Sequence, residues 1–173
     1  MSTPTSTALG PGQPAAVASA AGTASAGSTA SGTVRVAIIS LEGEQFTIDL
    51  QHVREVFVVE SITPVPAMPQ GLVGVTNLRG AVVPLLDLRH IFGLSTETAL
   101  RYAVALKHGT WQVGVLVDTV PEIRTLTKDQ FMPAPAGTSD ASNPFVTAVV
   151  KLEDRIRGVL ETSMVLSHFE RTG

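Results

Sequence analysis

Short apolar runs, rich in β-branched residues and broken by Gly, Pro, Asp and Ser, carry the sequence from residue 34 onward. They are Val34 to Leu41, Gln45 to Leu50, Val53 to Val59, Leu72 to Leu78, Ala81 to Leu86, Tyr102 to Leu106, Gln112 to Val117, Phe145 to Leu152 and Ile156 to Leu160. Runs of this length and composition predict strands. A 3.6-residue periodicity is present only near Asp87 to Phe92 and Thr162 to Phe169, which confines helix to two short segments. Closely spaced strands without intervening helices of about 10–15 residues predict antiparallel barrels or a sandwich, not a doubly wound parallel sheet.

The breaks between the runs have their own chemistry. Glu42-Gly43 and Glu153-Asp154 lie between paired runs and predict hairpin turns. Asn77-Leu78-Arg79-Gly80 predicts another, because Gly80 accepts the positive φ of a tight hairpin and leaves Arg79 projecting near the tip. Pro84 interrupts Ala81 to Leu86, and a residue without an N–H predicts an edge or a bend there. Ser61 to Gly71, carrying Pro64, Pro66 and Pro69, reads as an extended surface connector. Met132 to Pro144 reads as a second, polar one.

Composition changes the picture at the N-terminus. Of residues 1–33, 29 are Ala, Ser, Thr, Gly or Pro and none is charged, so this stretch lacks the apolar surface to offset an ordering cost of about 1–2 kcal/mol per residue and reads as a disordered tail. It has no basic segment and no Leu-rich stretch of the kind an export signal needs. Nowhere does the chain offer about 18 uninterrupted apolar residues, which predicts no transmembrane helix and no direct membrane insertion. The formal net charge of −3 gives no general positive field for a polyanion, so nucleic acid is not an expected partner. With no cysteine, disulfides, thiolate metal sites and cysteine nucleophiles are excluded.

The motifs of phosphate loops, dinucleotide folds, zinc proteases, serine hydrolases and calcium loops are all missing. His52, His90, His108 and His168 are dispersed, without the short-range pairing of a metal site. Asp49, Asp87 and Asp118 each end an apolar run; two of them meeting in a cleft would suit acid–base catalysis, while strand-end or capping roles are the plainer reading. Trp111, with Tyr102 and Phe145, reads as a core or interface anchor, since no basic residues are interleaved as in a base-stacking platform.

The stretch Gly71-Leu72-Val73-Gly74-Val75-Thr76-Asn77-Leu78-Arg79-Gly80-Ala81-Val82-Val83-Pro84-Leu85-Leu86-Asp87-Leu88-Arg89, followed by Phe92, resembles the signature of the CheW family of chemotaxis coupling proteins. Phe46 to Asp49, Val53 to Val56, Val113 to Val120, Leu126-Thr127, Gln130 and Pro133 to Pro135 continue the resemblance, which covers roughly residues 34–166. It implies a mainly β fold of two small SH3-like five-stranded barrels side by side, with short helices, in a domain over 34–170. We expect a first barrel over roughly 43–98 and a second over roughly 99–162, with the strand at 34–41 assigned to neither. The N-terminal tail and the Thr138 to Asn143 loop have no counterpart in the family's motif.

The function the resemblance implies is that of a non-catalytic adaptor, without catalytic residues, cofactor or metal. Its implied partners are the regulatory domain of the histidine kinase CheA, the cytoplasmic tip of methyl-accepting chemoreceptors and other CheW-like domains, in a membrane-attached array. The receptor-contact pattern of the family falls on Val53, Glu55, Val56, Gly74 and Arg79, with Asn77 shaping the turn that presents Arg79. Val53, Val56 and Gly74 would line an apolar groove with a charged pair at its rim, or Glu55 and Arg79 would merely pair with each other to hold the turn. A competitor or paralogue serving another motility or developmental system is an alternative, and a small barrel enzyme using the strand-end aspartates a remote one.

Deleting residues 1–33 is expected to leave the thermal midpoint within the error of a scan. A drop of more than about 4 °C, worth roughly 1 kcal/mol at this size, would show that the tail is docked.

Overall fold

A computed structural model describes residues 32–136 and 143–171 of the chain. The expected tail, apart from its last two residues, and the part of the second connector at 137–142 lie outside the described residues. The nine predicted runs all form strands: β1 (Thr33–Leu41), β2 (Glu44–Asp49), β3 (Val53–Val58), β4 (Leu72–Leu78), β5 (Ala81–Leu86), β6 (Tyr102–His108), β7 (Trp111–Val117), β10 (Val146–Leu152) and β11 (Arg155–Leu160). Two more strands separate β7 from β10: β8 (Glu122–Thr127) and β9 (Phe131–Pro133). β9 takes Met132 and Pro133 out of the expected connector. The periodic segments form helices α1 (Arg89–Phe92) and α2 (Thr162–Glu170).

The strands form two sheets, in the orders β8-β1-β2-β11-β10-β9 and β3-β6-β7-β5-β4. The first therefore has one strand more than the expected five. The expected division into consecutive barrels at 43–98 and 99–162 is not the one the strands adopt. β1 and β2 pair with β8 and β11, and β3 and β5 pair with β6 and β7, so the first sheet joins residues 33–49 to 122–160 while the second is built from 53–117. The strand at 34–41 belongs to the first sheet, with β8 and β2 on its two sides.

The exchange has a regular plan. Each half of the chain supplies a hairpin, a single strand, a second hairpin and a helix: β1-β2, β3, β4-β5 and α1, then β6-β7, β8, β10-β11 and α2. Each sheet joins the first hairpin of one half to the single strand and second hairpin of the other. The second hairpins match residue for residue, with a bulge after Leu72 in β4 and after Val146 in β10. Beyond them Asp87 N–H donates to Gly71 O at 2.7 Å and Glu161 N–H to Phe145 O at 2.9 Å. The Asp87 carboxylate then accepts from Arg89 N–H, and the Glu161 carboxylate from Ser163 N–H.

Period-2 alternation explains why so many runs are wholly apolar. In β1, Val36 and Ile38 face a core inside the first sheet, while Ile39 and Leu41 face a larger core to which both sheets contribute. In the second sheet Leu85, Ala103 and Leu116 face an inner core, and Leu86, Val104, Leu106, Val115 and Val117 the shared one. A strand buried on both faces has no polar side to show. Of the edge or bend its chemistry predicts, Pro84 does not take the edge: β5 lies between β4 and β7, and the short parallel ladder to β7 begins at Leu85, so the missing N–H falls just ahead of it.

Charged groups join the sheets around Arg89, whose side chain is 4% exposed. Its Nε donates to Asp87 Oδ1 at 2.9 Å and its Nη2 to Oδ2 at 2.8 Å, while Nη1 reaches Thr98 O at 2.8 Å. Hydrogen bonding to Asp87 holds the guanidinium pKa above its ordinary value, against the effect of burial; the charges of Asp87, Glu42 and Asp118 add to the rise. Glu42, in the β1–β2 turn of the first sheet, is 3.6 Å from Arg89, and Asp118 after β7 accepts from Ser40 Oγ at 3.0 Å and Gly43 N–H at 2.9 Å.

Replacing Arg89 by Met would leave the Asp87 carboxylate buried without its partner, and urea unfolding is expected to show a loss of about 3–5 kcal/mol. Arg124→Met, at an exposed ion pair, is expected to cost at most about 1 kcal/mol in the same assay.

Candidate functional site

The β4–β5 hairpin is closed by Arg79 and Gly80, which both have positive φ, 52° and 85°. Two successive left-handed residues match the right-handed twist of the flanking strands, the geometry of a type I′ turn. The sequence anticipates this at Gly80 but not at Arg79, a non-glycine residue held in a region that side chains disfavour. Asn77 Oδ1 accepts from Gly80 N–H at 2.8 Å, so the expected turn-shaping role of Asn77 has a concrete bond.

Arg79 projects outward with 79% of its side chain exposed, and its Nη2 lies 2.9 Å from Glu55 Oε2. Glu55 sits on β3 with its side chain 19% exposed. Because β3 and β4 are the two edges of the second sheet, the pair clasps one edge strand to the hairpin that ends the other. The first sheet has a clasp in the corresponding place with the charges reversed. There Arg124 on edge strand β8 holds Glu153 at the β10–β11 tip at 3.2 Å, and Glu122 beside it at 2.6 Å. An ion pair this exposed contributes at most about 1 kcal/mol, which leaves Arg79 to be understood by what else it reaches. A guanidinium carries five N–H donors in a fixed fork, so one holding Glu55 still presents donors to solvent.

Val53 and Val56 reach one face of β3 through a bulge between Val53 and Glu55. The register pairs Val53 with Leu106 and Val56 with Val104, and residues directly opposite share a face. Val53 packs partly against the shared core, Val56 is 37% exposed and Val58, two residues on, 60% exposed. Val58 extends the apolar strip and follows from the strand period alone, yet the motif comparison does not single it out.

Gly74 is placed differently from the other five. It is buried in β4, and a Cβ there would lie 2.5 Å from Thr63 O and 2.7 Å from Ile62 Cγ2. The connector from β3 passes over it, bridged to Val75 by Thr63 N–H to Val75 O at 2.8 Å and Val75 N–H to Thr63 O at 2.9 Å. Its work is to seat that connector, not to line an open groove beside Val53 and Val56.

The strand-end aspartates are occupied with structure. Asp87 is locked on Arg89, Asp118 accepts from the β1–β2 turn, and Asp49 accepts from Gln51 N–H at 2.9 Å. Among the described residues no group of three or more His, Asp or Glu is placed to hold a metal ion, and no helix is long and apolar enough to cross a membrane.

Comparison with known proteins places this geometry. The model of the CheW-like domain matches residues 35–170. The chain is 32% identical over 136 residues to a chemotaxis protein CheW of Klebsiella aerogenes, covering 77% of this chain and 81% of that one. It is 32% identical over 130 residues to a chemotaxis protein CheW of Rhizobium meliloti, covering 74% and 84%. Among solved structures, the scaffolding protein TtCheW of Thermoanaerobacter tengcongensis superposes with a TM-score of 0.68 at 26% identity, over 75% of this chain and 90% of that one.

Gly74→Ala is expected to destabilise the protein by about 1–3 kcal/mol in denaturant unfolding, the usual range for overpacking. An unchanged midpoint would show that the connector lifts freely from β4.

Proposed function

The chain belongs to the CheW-like domain family, and on that footing we propose that it is a non-catalytic adaptor coupling methyl-accepting chemoreceptors to the histidine kinase CheA. The observation that carries the proposal is the extent of the match: it spans residues 35–170, from the third residue of β1 to the end of α2. We assign the kinase's regulatory domain and the cytoplasmic tip of the receptors as partners, other CheW-like domains as further ones, and membrane-attached arrays in the cytoplasm as the place of work.

Receptor contact falls to the β3 strip and the neighbouring hairpin tip. Val56 and Val58 offer exposed apolar side chains on a strand already fixed by β6, so little conformational entropy is lost when a helix is laid against them. Arg79 supplies direction, because its spare N–H groups suit a carboxylate or the carbonyl end of a helix. Glu55 holds the guanidinium in place through the bond at 2.9 Å. Asn77 and Gly74 act one step back, through the turn and the connector.

Arg79→Glu is expected to cost at most about 1 kcal/mol of stability and to weaken receptor binding tenfold or more, about 1.4 kcal/mol. Titration with a soluble receptor fragment, alongside thermal unfolding, reads both. Full recovery in the double variant Glu55→Arg with Arg79→Glu would make the pair purely structural and remove Arg79 from the contact surface.

A further inference from the structure

An apolar groove of about 260 Å³ opens on the second sheet beside α2, walled by Leu86, Trp111, Val113, Leu166 and Phe169, with Glu170 on its rim. It shares no residue with the β3 strip or the Arg79 tip. The internal repeat shows what such a space accommodates. In the first sheet the corresponding region is filled by three rings: Phe46 and Phe92 with centroids 5.2 Å apart, and Phe92 and Phe145 at 6.1 Å.

The register of the hairpins, carried through to the helices, sets Val113 where Phe46 stands, Leu166 where Phe92 stands and Gly71 where Phe145 stands. Three phenyl groups are thus replaced by an isopropyl, an isobutyl and a hydrogen. Phe169, from the turn of α2 that α1 lacks, enters only part of the vacated space. Trp111, the sole tryptophan, is left 57% exposed at the edge.

We infer that this groove is a docking pocket for a segment of a partner protein that presents one phenyl-sized side chain, flanked by a basic residue facing Glu170. Phe92 sets the size of the side chain such a space takes; the helical turn that carries it has its counterpart in α2, so in the second sheet the ring has to come from outside the chain. The chain's own undescribed segments do not provide it, since residues 1–31, 137–142 and 172–173 contain no aromatic residue. Ring insertion beside an exposed tryptophan is also the composition that interface anchors favour.

Trp111 makes the test direct. The full chain is titrated with a synthetic alanine- and lysine-based helical peptide bearing a single central Phe, and with the same peptide bearing Ala there, while tryptophan emission is followed. The Phe peptide is expected to move the emission to shorter wavelength and saturate, and the Ala peptide to bind at least tenfold more weakly. Val113→Phe, which supplies the ring from within, is expected to fold and to lose the response; should it fail to fold, Leu166→Phe fills the groove from the helix side and takes its place. No response to the Phe peptide at millimolar concentration, equal responses to both peptides, or an undiminished response in the filled variant would overturn the proposal. So would an emission shift that follows protein concentration without peptide, which would make a second copy of this chain the occupant.

Discussion

The apolar layer to which both sheets contribute, with Leu41, Phe46 and Ile48 on one side and Leu106, Val113 and Val115 on the other, is what the remaining structure is built to enclose. Neither sheet is large enough to bury both its faces by curling on itself, and each such side chain withdrawn from water is worth about 1.5–3 kcal/mol. Exchanging first hairpins between the halves solves the problem by making each sheet depend on the other half of the chain. The short helices follow from the same requirement, since α1 brings Phe92 against Phe46 and α2 brings Val165 and Leu166 to the same layer.

Polar groups then fix how the two sheets meet. Arg89 and Asp118 are fixed near the ends of second-sheet strands and reach the β1–β2 turn of the first, where Glu42 and Gly43 receive them. Satisfied charges at the margin of an apolar layer permit fewer arrangements than apolar contact alone, a role consistent with the bidentate Asp87–Arg89 geometry. Arg79 and Val56 consequently project from a framework whose position is determined elsewhere. In an adaptor that rigidity has value, because the geometry of one partner is transmitted to the other only through a body that does not yield.

The strands legible in the sequence were those with apolar runs. β8 was not among them because four of its six residues are exposed, and β9 because it has three residues and ends in proline. The exchange of hairpins was hidden for a different reason: between residues 71–92 and their partners only Val75 and Val149, Leu78 and Leu152, and Leu86 and Leu160 are the same residue. Pairing is a property of which faces need cover, and a chain read linearly assigns neighbours in order. At the site, the tight turn at Asn77 to Gly80 could be read from residue type, whereas Glu55 and Arg79 were brought together only by the family resemblance, with their pairing as one of two readings. The burial of Gly74 could not, since it arises from a connector whose path the sequence left open.

The proposed coupling requires one protein body to hold receptor and kinase at the same time. Sedimentation velocity on the full chain with a kinase regulatory domain at saturation, titrated with a soluble receptor fragment, tests it most directly. The account predicts a ternary species that accumulates at the receptor affinity measured without kinase, or a tighter one. Release of kinase as receptor binds, with no ternary species at any ratio, would contradict it.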